Sequence, residues 1–147
     1  KFASGSLDTT IRIWDLELGK EVKKLEGHTS SGYALTLLEG GKKLASGGYK
    51  TIRIWDVDTS KELAKISCPF SINSLTSKEP NLLLAGDDHG GIWCWKLNFQ
   101  EKDVQPELMW ATNPNLICSE TKLGTPIGLS EPNKRLLLQH GATAEKQ

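Results

Sequence analysis

The hexapeptide Thr-Ile-Arg-Ile-Trp-Asp occupies residues 10–15 and recurs unchanged at residues 51–56. Six consecutive identities, with the second copy starting 41 residues after the first, are typical of a repeat protein. Two β-branched isoleucines alternate with arginine and tryptophan, and this period of two predicts a β-strand. A looser copy at residues 91–96 keeps the tryptophan as Trp95 and has Lys96 in place of the aspartate. The chain therefore contains the same predicted strand three times.

The segments around the hexapeptide repeat with it. Three pairs of segments match at offsets of 40 to 42 residues: 2–6 with 44–48, 20–25 with 61–66, and 33–38 with 73–78. In the first of these pairs, each segment runs into the tryptophan strand across a short polar turn, which predicts a hairpin. Each complete repeat is therefore expected to form four short antiparallel strands.

Four strands about every 40 residues, with Gly27-His28 before the first strand and Trp-Asp ending the third, resemble the WD-repeat family of β-propellers. The resemblance covers residues 1 to about 97. It implies an all-β fold whose blades are four-stranded antiparallel sheets. Four segments follow from it: 1–27, the end of a first blade; 28–67, a second blade; 68–111, a third blade with an insertion; and 112–147, the start of a fourth blade.

The match fades after residue 97, where the spacing indicates an insertion over residues 98–124. Two prolines and a glycine within this stretch argue against an uninterrupted helix. We expect residues 107–110 to form the outer strand of the third blade. Residues 125–130 and 134–142 are then the first two strands of the fourth blade.

The predicted ring is incomplete in this chain. Propellers usually hold about four to eight blades, whereas 147 residues supply roughly three and a half at this period. Two arrangements would complete it. Further sequence could supply the remaining blades, which is the preferred interpretation, or the C-terminal strands of one copy could complete the N-terminal blade of a second copy.

Composition argues against several classes of partner. Lysine plus arginine and aspartate plus glutamate number 18 each, so the formal charge is zero and gives no net electrostatic attraction to nucleic acid or to anionic lipid. The longest apolar runs, at residues 82–85 and 136–138, are far shorter than the roughly 18 residues of a membrane-spanning helix. Cys68, Cys94 and Cys118 lack close paired spacing, which favours a reducing compartment, the cytoplasm or the nucleus.

The resemblance also implies a structural hydrogen-bond network that braces each blade. Its members would be a histidine before the first strand, a serine or threonine in the second, the tryptophan of the third, and an aspartate in the turn between. The residues at these positions are His28, Ser46 and Trp55 in the second blade, and Ser4 (or Ser6), Asp8 and Trp14 in the first. Lys50 replaces the aspartate in the second blade, and Cys68-Pro69 replaces Gly-His in the third, where we expect no such network.

We predict no catalytic residue, metal site or cofactor. Asp87, Asp88 and His89 stand side by side on one predicted turn, but neighbours on a single turn cannot supply the three or four converging ligands of a metal. The chain has no Gly-x-Ser-x-Gly nucleophile elbow. Its glycine pairs also lack the lysine and serine or threonine of a phosphate-binding loop.

Three tryptophans, Trp14, Trp55 and Trp95, recur at one strand position and are expected to pack between blades. Trp93 and Trp110 do not follow this rule. Burial against the next blade is the preferred interpretation for both, although Trp110 stands beside Met109, and both residue types are enriched at protein interfaces.

The resemblance implies a scaffold that binds proteins or peptides. Their docking face would carry the turns between the second and third strands and the loops that enter each blade. The candidate binding residues are Tyr49, Lys50, Asp88 and His89, followed by Met109 and Trp110. The alternative is a structural role, in which the blades mediate self-assembly or form a regulatory module of a larger protein.

Overall fold

The computed structural model describes residues 1–30, 32–100 and 103–112, together with the two short strands at 122–123 and 143–144. For residues 32, 33, 122, 123, 143 and 144 only the backbone is described. The described residues are organised as successive antiparallel sheets, with one short 3-10 turn at Glu39–Gly41. None of the described residues forms a helix with the length and apolar character needed to cross a bilayer.

Three sheets follow one another along the chain, and in each of them sequence neighbours pair. The first sheet contains β1 (Phe2–Gly5), β2 (Ile11–Asp15) and β3 (Lys20–Leu25). The second contains β4 (Gly32–Leu38), β5 (Lys43–Gly48), β6 (Thr51–Asp56) and β7 (Glu62–Ser67). The third contains β8 (Ile72–Glu79), β9 (Leu82–Asp87), β10 (Ile92–Phe99) and β11 (Val104–Thr112). The all-β fold with repeated four-stranded antiparallel sheets is therefore confirmed, and the described strands do not close into a ring.

The second sheet is the middle layer of the described structure. One buried cluster joins it to the first sheet through Ile11, Ile13 and Leu25 on one side and Leu44 and Trp55 on the other. A larger cluster joins its opposite face to the third sheet, with contributions from all eight strands of the two sheets. Both faces of β5 and β6 are consequently buried, whereas β3 is mostly exposed.

The repeated hexapeptide forms β2 and β6, and its isoleucines enter these two clusters. Their burial removes apolar side chains from water, which is the main favourable contribution to packing the layers. The arginines point to the other face. In β2 that face is partly exposed at Arg12, whereas Arg53 in β6 is only 8% exposed and is ion-paired with Glu62.

The stretch around residue 98 is more regular than an insertion. Residues 98 and 99 extend β10, and β11 begins at Val104, so the first residues of the predicted insertion lie in two strands that are longer than β6 and β7. Leu97 on β10 and Val104 on β11 are both buried in the core, so the β10–β11 hairpin keeps an apolar face towards the second sheet. The expected outer strand at residues 107–110 is confirmed and is longer than predicted.

The predicted strands at residues 125–130 and 134–142 lie outside the described residues. Beyond β11 the structure describes only β12 (Lys122–Leu123) and β13 (Thr143–Ala144), which pair in parallel.

Candidate functional site

Two sets of turns and loops meet at one end of the sheets, which we call the loop face. It carries the β1–β2, β5–β6 and β9–β10 turns and the β3–β4 and β7–β8 connections. Backbone hydrogen bonds join them, because the amide of Cys68 donates to the carbonyl of Lys50 (2.9 Å) and the amide of Asp88 donates to the carbonyl of Ser71 (3.0 Å). The loop face is therefore a continuous surface across the second and third sheets.

His28, Ser46 and Trp55 meet beneath this face in the second sheet. The indole Nε1 of Trp55 donates to Ser46 Oγ at 2.7 Å, and His28 Nε2 lies 2.7 Å from the same oxygen. All three side chains are buried. Burial lowers the pKa of His28 to about 4, with a smaller contribution from the positive charge of Arg53, so the imidazole is neutral at physiological pH. The network fixes the β3–β4 connection to the middle of the sheet.

The first sheet has a reduced version of this arrangement. Trp14 Nε1 donates to Ser4 Oγ at 2.8 Å. Asp8 does not join this pair. Its carboxylate accepts hydrogen bonds from the hydroxyl of Thr10 (2.6 Å) and from Arg12 (2.9 Å). These bonds, led by the one from Thr10, hold the pKa of Asp8 well below its ordinary value. The structure thus brings Ser4 and Trp14 together and places Asp8 in a separate turn cluster.

The third sheet contains a pair that the sequence analysis missed. Trp93 Nε1 donates to Asp87 Oδ2 at 2.8 Å, and Asp87 Oδ1 accepts from the backbone amides of His89 (2.9 Å) and Gly91 (2.7 Å). A Cβ at residue 91 would collide with this carboxylate, so the turn needs glycine there. The signal in the sequence was an Asp-rich glycine turn followed two residues later by a tryptophan at a position where the other repeats have arginine.

Register explains why the pair differs in the third sheet. Ser46 faces Arg53 across β5 and β6, and Ala85 faces Trp93 at the corresponding position in β9 and β10. Because alanine replaces the serine acceptor, Trp95 Nε1 is buried without a hydrogen-bond partner among the described residues. The third sheet therefore has a tryptophan–carboxylate bond at the turn in place of a tryptophan–serine bond at mid-sheet.

The four loop-face candidates occupy the β5–β6 and β9–β10 turns. Tyr49 is 57% exposed, and the Nζ of Lys50 lies 5.5 Å from the centre of its ring. His89 stacks on Phe70 with ring centres 4.1 Å apart, and its Nδ1 is 2.8 Å from Asp88 Oδ1. Bonding to His89 is the main cause that lowers the pKa of Asp88.

A cavity of about 300 Å³ connects the two turns, and we call it the Asp88 cavity. Its lining includes one carboxylate, one aromatic ring, one apolar side chain and three small polar side chains: Asp88, Tyr49, Ile72, Ser30, Ser71 and Asn73. Lys50 and His89 flank it on the same turns. Two of the first four candidates, Tyr49 and Asp88, therefore line the cavity, and the other two are their sequence neighbours on the same turns.

Met109 and Trp110 lie apart from this cavity, on β11. Trp110 is 42% exposed among the described residues, and its burial against a next blade stays a prediction because that blade lies outside them. Trp110 lies opposite Cys94 on the last strand of the third sheet, and no described strand lies beyond β11 to cover it. Trp93 is partly buried against the core, as expected.

Among the described residues, no group of three or more His, Cys, Asp or Glu is arranged to hold a metal ion.

Comparisons with known proteins agree with this architecture. The family model "WD domain, G-beta repeat" matches residues 1–15 and 19–56. Autophagy-related protein 16 of Arabidopsis thaliana is 23% identical over 137 residues, which is 88% of this chain and 26% of that protein. Coronin-7 of Mus musculus is 48% identical over 44 residues, 30% of this chain and 5% of that protein. The chain thus spans a small part of either relative.

Among solved structures, a chain of the crystal structure of a mitotic checkpoint complex superposes with a TM-score of 0.60 at 19% identity. The match covers 71% of this chain and 34% of that chain. At this identity the likeness concerns the fold.

Proposed function

We propose that this chain, a partial WD-repeat β-propeller, is an interaction scaffold that binds partner proteins or peptides through its loop face. The observation that carries the proposal is the Asp88 cavity, where side chains from two neighbouring sheets meet at an exposed surface. Exposed residues on loops that a rigid scaffold positions are common places for binding.

The chain separates the residues that hold the fold from those offered to a partner. The His28, Ser46 and Trp55 network is buried, and replacing its members should destabilise the sheet. Tyr49 and Asp88 are exposed, and their side chains contribute little to either core cluster. A binding defect caused by changes at these two residues can therefore be distinguished from unfolding.

A peptide phage-display library selected against the immobilised chain tests this proposal. Selected peptides should lose binding to Tyr49→Ala and Asp88→Ala variants while the melting temperatures of both stay near the wild-type value. Leu16→Ala is the matched surface control, because Leu16 is exposed on the β2–β3 turn at the opposite end of the sheets. Trp55→Ala is the control for loss of the fold.

Two outcomes would contradict the loop-face proposal. Enriched peptides that bind both variants as well as the wild type would place the binding site elsewhere. A melting temperature that falls in Tyr49→Ala or Asp88→Ala as far as in Trp55→Ala would show that these residues belong to the core.

A second candidate function, self-assembly, is favoured by the free edge of the first sheet. Within the described part of the chain β1 pairs only with β2, whereas the corresponding β5 and β9 each pair on both sides. An apolar cavity of about 360 Å³ adjoins β1 and is lined by Phe2, Leu35, Leu37 and Leu44 among others. An unpaired strand edge beside apolar side chains can accept a further strand.

Light scattering of the purified chain tests self-assembly. A dimer or larger assembly of defined mass that dissociates in Phe2→Lys and persists in Leu16→Lys would support it, because both residues are exposed and only Phe2 lines the cavity. A monomer at all concentrations would exclude it.

We propose that the protein is located in the cytoplasm or the nucleus. There it would act as a binding module of a larger protein or assembly, without a catalytic role. Cys68 and Cys94 are free thiols in the core, which suits a reducing compartment. A fluorescent fusion of the full-length protein that appears in a secretory compartment would contradict this location.

A further inference from the structure

We infer that the Asp88 cavity receives the side chain of a lysine or arginine from the partner. This inference rests on the proposed loop-face function and adds the chemistry of the group that is recognised.

Asp88 supplies the negative charge. It is the only carboxylate in the lining, and its oxygen Oδ1 is held by His89 Nδ1 at 2.8 Å. This bond keeps the pKa of Asp88 below its ordinary value, so the carboxylate remains ionised at neutral pH. The backbone amide of Asp88 is fixed to the carbonyl of Ser71, which anchors the turn. The hydroxyls of Ser30 and Ser71 add further acceptors around the opening.

The exposed ring of Tyr49 supplies a wall for the methylene stem of a basic side chain. Lysine and arginine bury their stems along apolar surfaces while their charged ends reach polar groups. The ring of Tyr49 also attracts cations, as the approach of Lys50 Nζ to 5.5 Å from the ring centre illustrates. Lys50 already lies beside this ring, so its charge competes with an incoming cation.

The size of the cavity fits one side chain. At about 300 Å³ it lies at the lower limit of the range typical for small-molecule sites, and its lining is shared between the second and third sheets. It therefore suits a residue projecting from a peptide backbone that lies across the loop face.

An NMR titration of the ¹⁵N-labelled chain with N-acetyl-arginine methylamide tests the inference. We expect amide shifts confined to the β5–β6 turn, the β9–β10 turn and residues 71–73. The citrulline analogue, which keeps the shape and lacks the charge, should bind about three- to fivefold more weakly. Asp88→Asn should weaken the arginine probe by a similar factor, whereas Asp58→Asn, an exposed carboxylate on the opposite β6–β7 turn, should leave it unchanged.

Lys50→Ala gives an independent test of whether the group that enters the cavity is positively charged. Removing the competing cation should tighten the arginine probe. Equal binding of arginine and citrulline probes, no effect of Asp88→Asn, or absence of shifts with the arginine probe would each overturn the inference. Preferential binding of N-acetyl-glutamate methylamide that is lost in Lys50→Ala would replace the basic partner with an acidic one.

The two proposals fail separately. Phage-selected peptides that need Tyr49 and contain no basic residue would leave the loop-face function standing and overturn the basic side chain. If the arginine probe binds in an Asp88-dependent way but the selected peptides bind equally to the Tyr49→Ala and Asp88→Ala variants, the basic-side-chain inference stands and the loop-face function is overturned.

Discussion

Ser46 holds the middle of the second sheet through one oxygen atom. Its Oγ is fully buried, accepts a hydrogen bond from Trp55 and contacts His28. In Ser46→Ala both partners stay buried without a hydrogen bond, and each such group costs about 1–3 kcal/mol. We expect the free energy of unfolding to fall by about 2–4 kcal/mol in urea titrations.

Ser4→Ala is the matched control for Ser46. Ser4 accepts a single hydrogen bond from a half-buried Trp14, so its loss should cost about 1 kcal/mol. Equal losses for the two variants would show that the buried network adds nothing beyond one ordinary hydrogen bond.

Ala85 offers the converse experiment in the third sheet. It stands at the position of Ser46, and the indole Nε1 of Trp95 is buried without a partner among the described residues. Ala85→Ser supplies the missing acceptor, so the free energy of unfolding should rise by about 1 kcal/mol. A shift in Trp95 fluorescence should accompany the gain. Destabilisation by Ala85→Ser would mean that the added hydroxyl is itself left unsatisfied.

His28 makes stability depend on pH in a defined window. Its pKa is about 4 in the folded chain, against 6.5 without burial. Below pH 6.5 the unfolded chain therefore binds more protons, so the free energy of unfolding falls as the pH drops from 6.5 towards 4. His28→Gln should flatten urea stability measured across this window. An unchanged slope would assign the pH dependence in this window to groups other than His28; the lowered pKa values of Asp88 and Glu26 affect stability only at more acidic pH.

The contact between β5 and β8 depends on the absence of a side chain. A Cβ at Gly47 would lie 2.6 Å from Ile72 Cγ2, closer than any normal contact. Because overpacking of a core typically costs about 1–3 kcal/mol, Gly47→Ala should lower stability by that amount. The double variant Gly47→Ala/Ile72→Ala should lose less than the sum of the two single losses. Additive losses would show that the two residues do not share this contact.

The strands were predictable from the sequence where a short pattern repeats. The hexapeptide identified β2 and β6, and the alternation of its isoleucines gave the face that enters the core. The same alternation left Arg53 on a polar face, yet it is nearly buried because the second sheet is covered on both sides. Which layer a strand occupies depends on the neighbouring sheets, which the strand's own residues do not encode.

The site was predictable where the family pattern was followed and not where it changed. His28, Ser46 and Trp55 could be named in advance, whereas the bond between Asp87 and Trp93 could not. That bond depends on the conformation of the glycine turn, which decides whether the carboxylate points to solvent or back towards the indole. The exposure of Trp110 similarly depends on what lies beyond β11.

The three sheets form a stack in which the second separates the other two. Leu44 and Trp55 contact the first sheet, while Ala45, Ile52 and Ile54 contact the third. The middle sheet cannot open without disrupting both clusters. An outer strand such as β3, which exposes most of its residues, can open at much lower cost.

Hydrogen–deuterium exchange under native conditions should reveal this order. Amides of β5 and β6 should exchange slowest, because both strands lie inside a sheet and are buried on both faces. Amides of β3 and β11, which are edge strands with mostly exposed residues, should exchange faster than those of β5 and β6. Ile54→Ala removes apolar volume from the cluster shared with the third sheet, so protection should fall in both the second and third sheets. A loss confined to the second sheet would show that the sheets open independently, because cooperative packing requires the third sheet to respond to a cavity in the cluster that it shares.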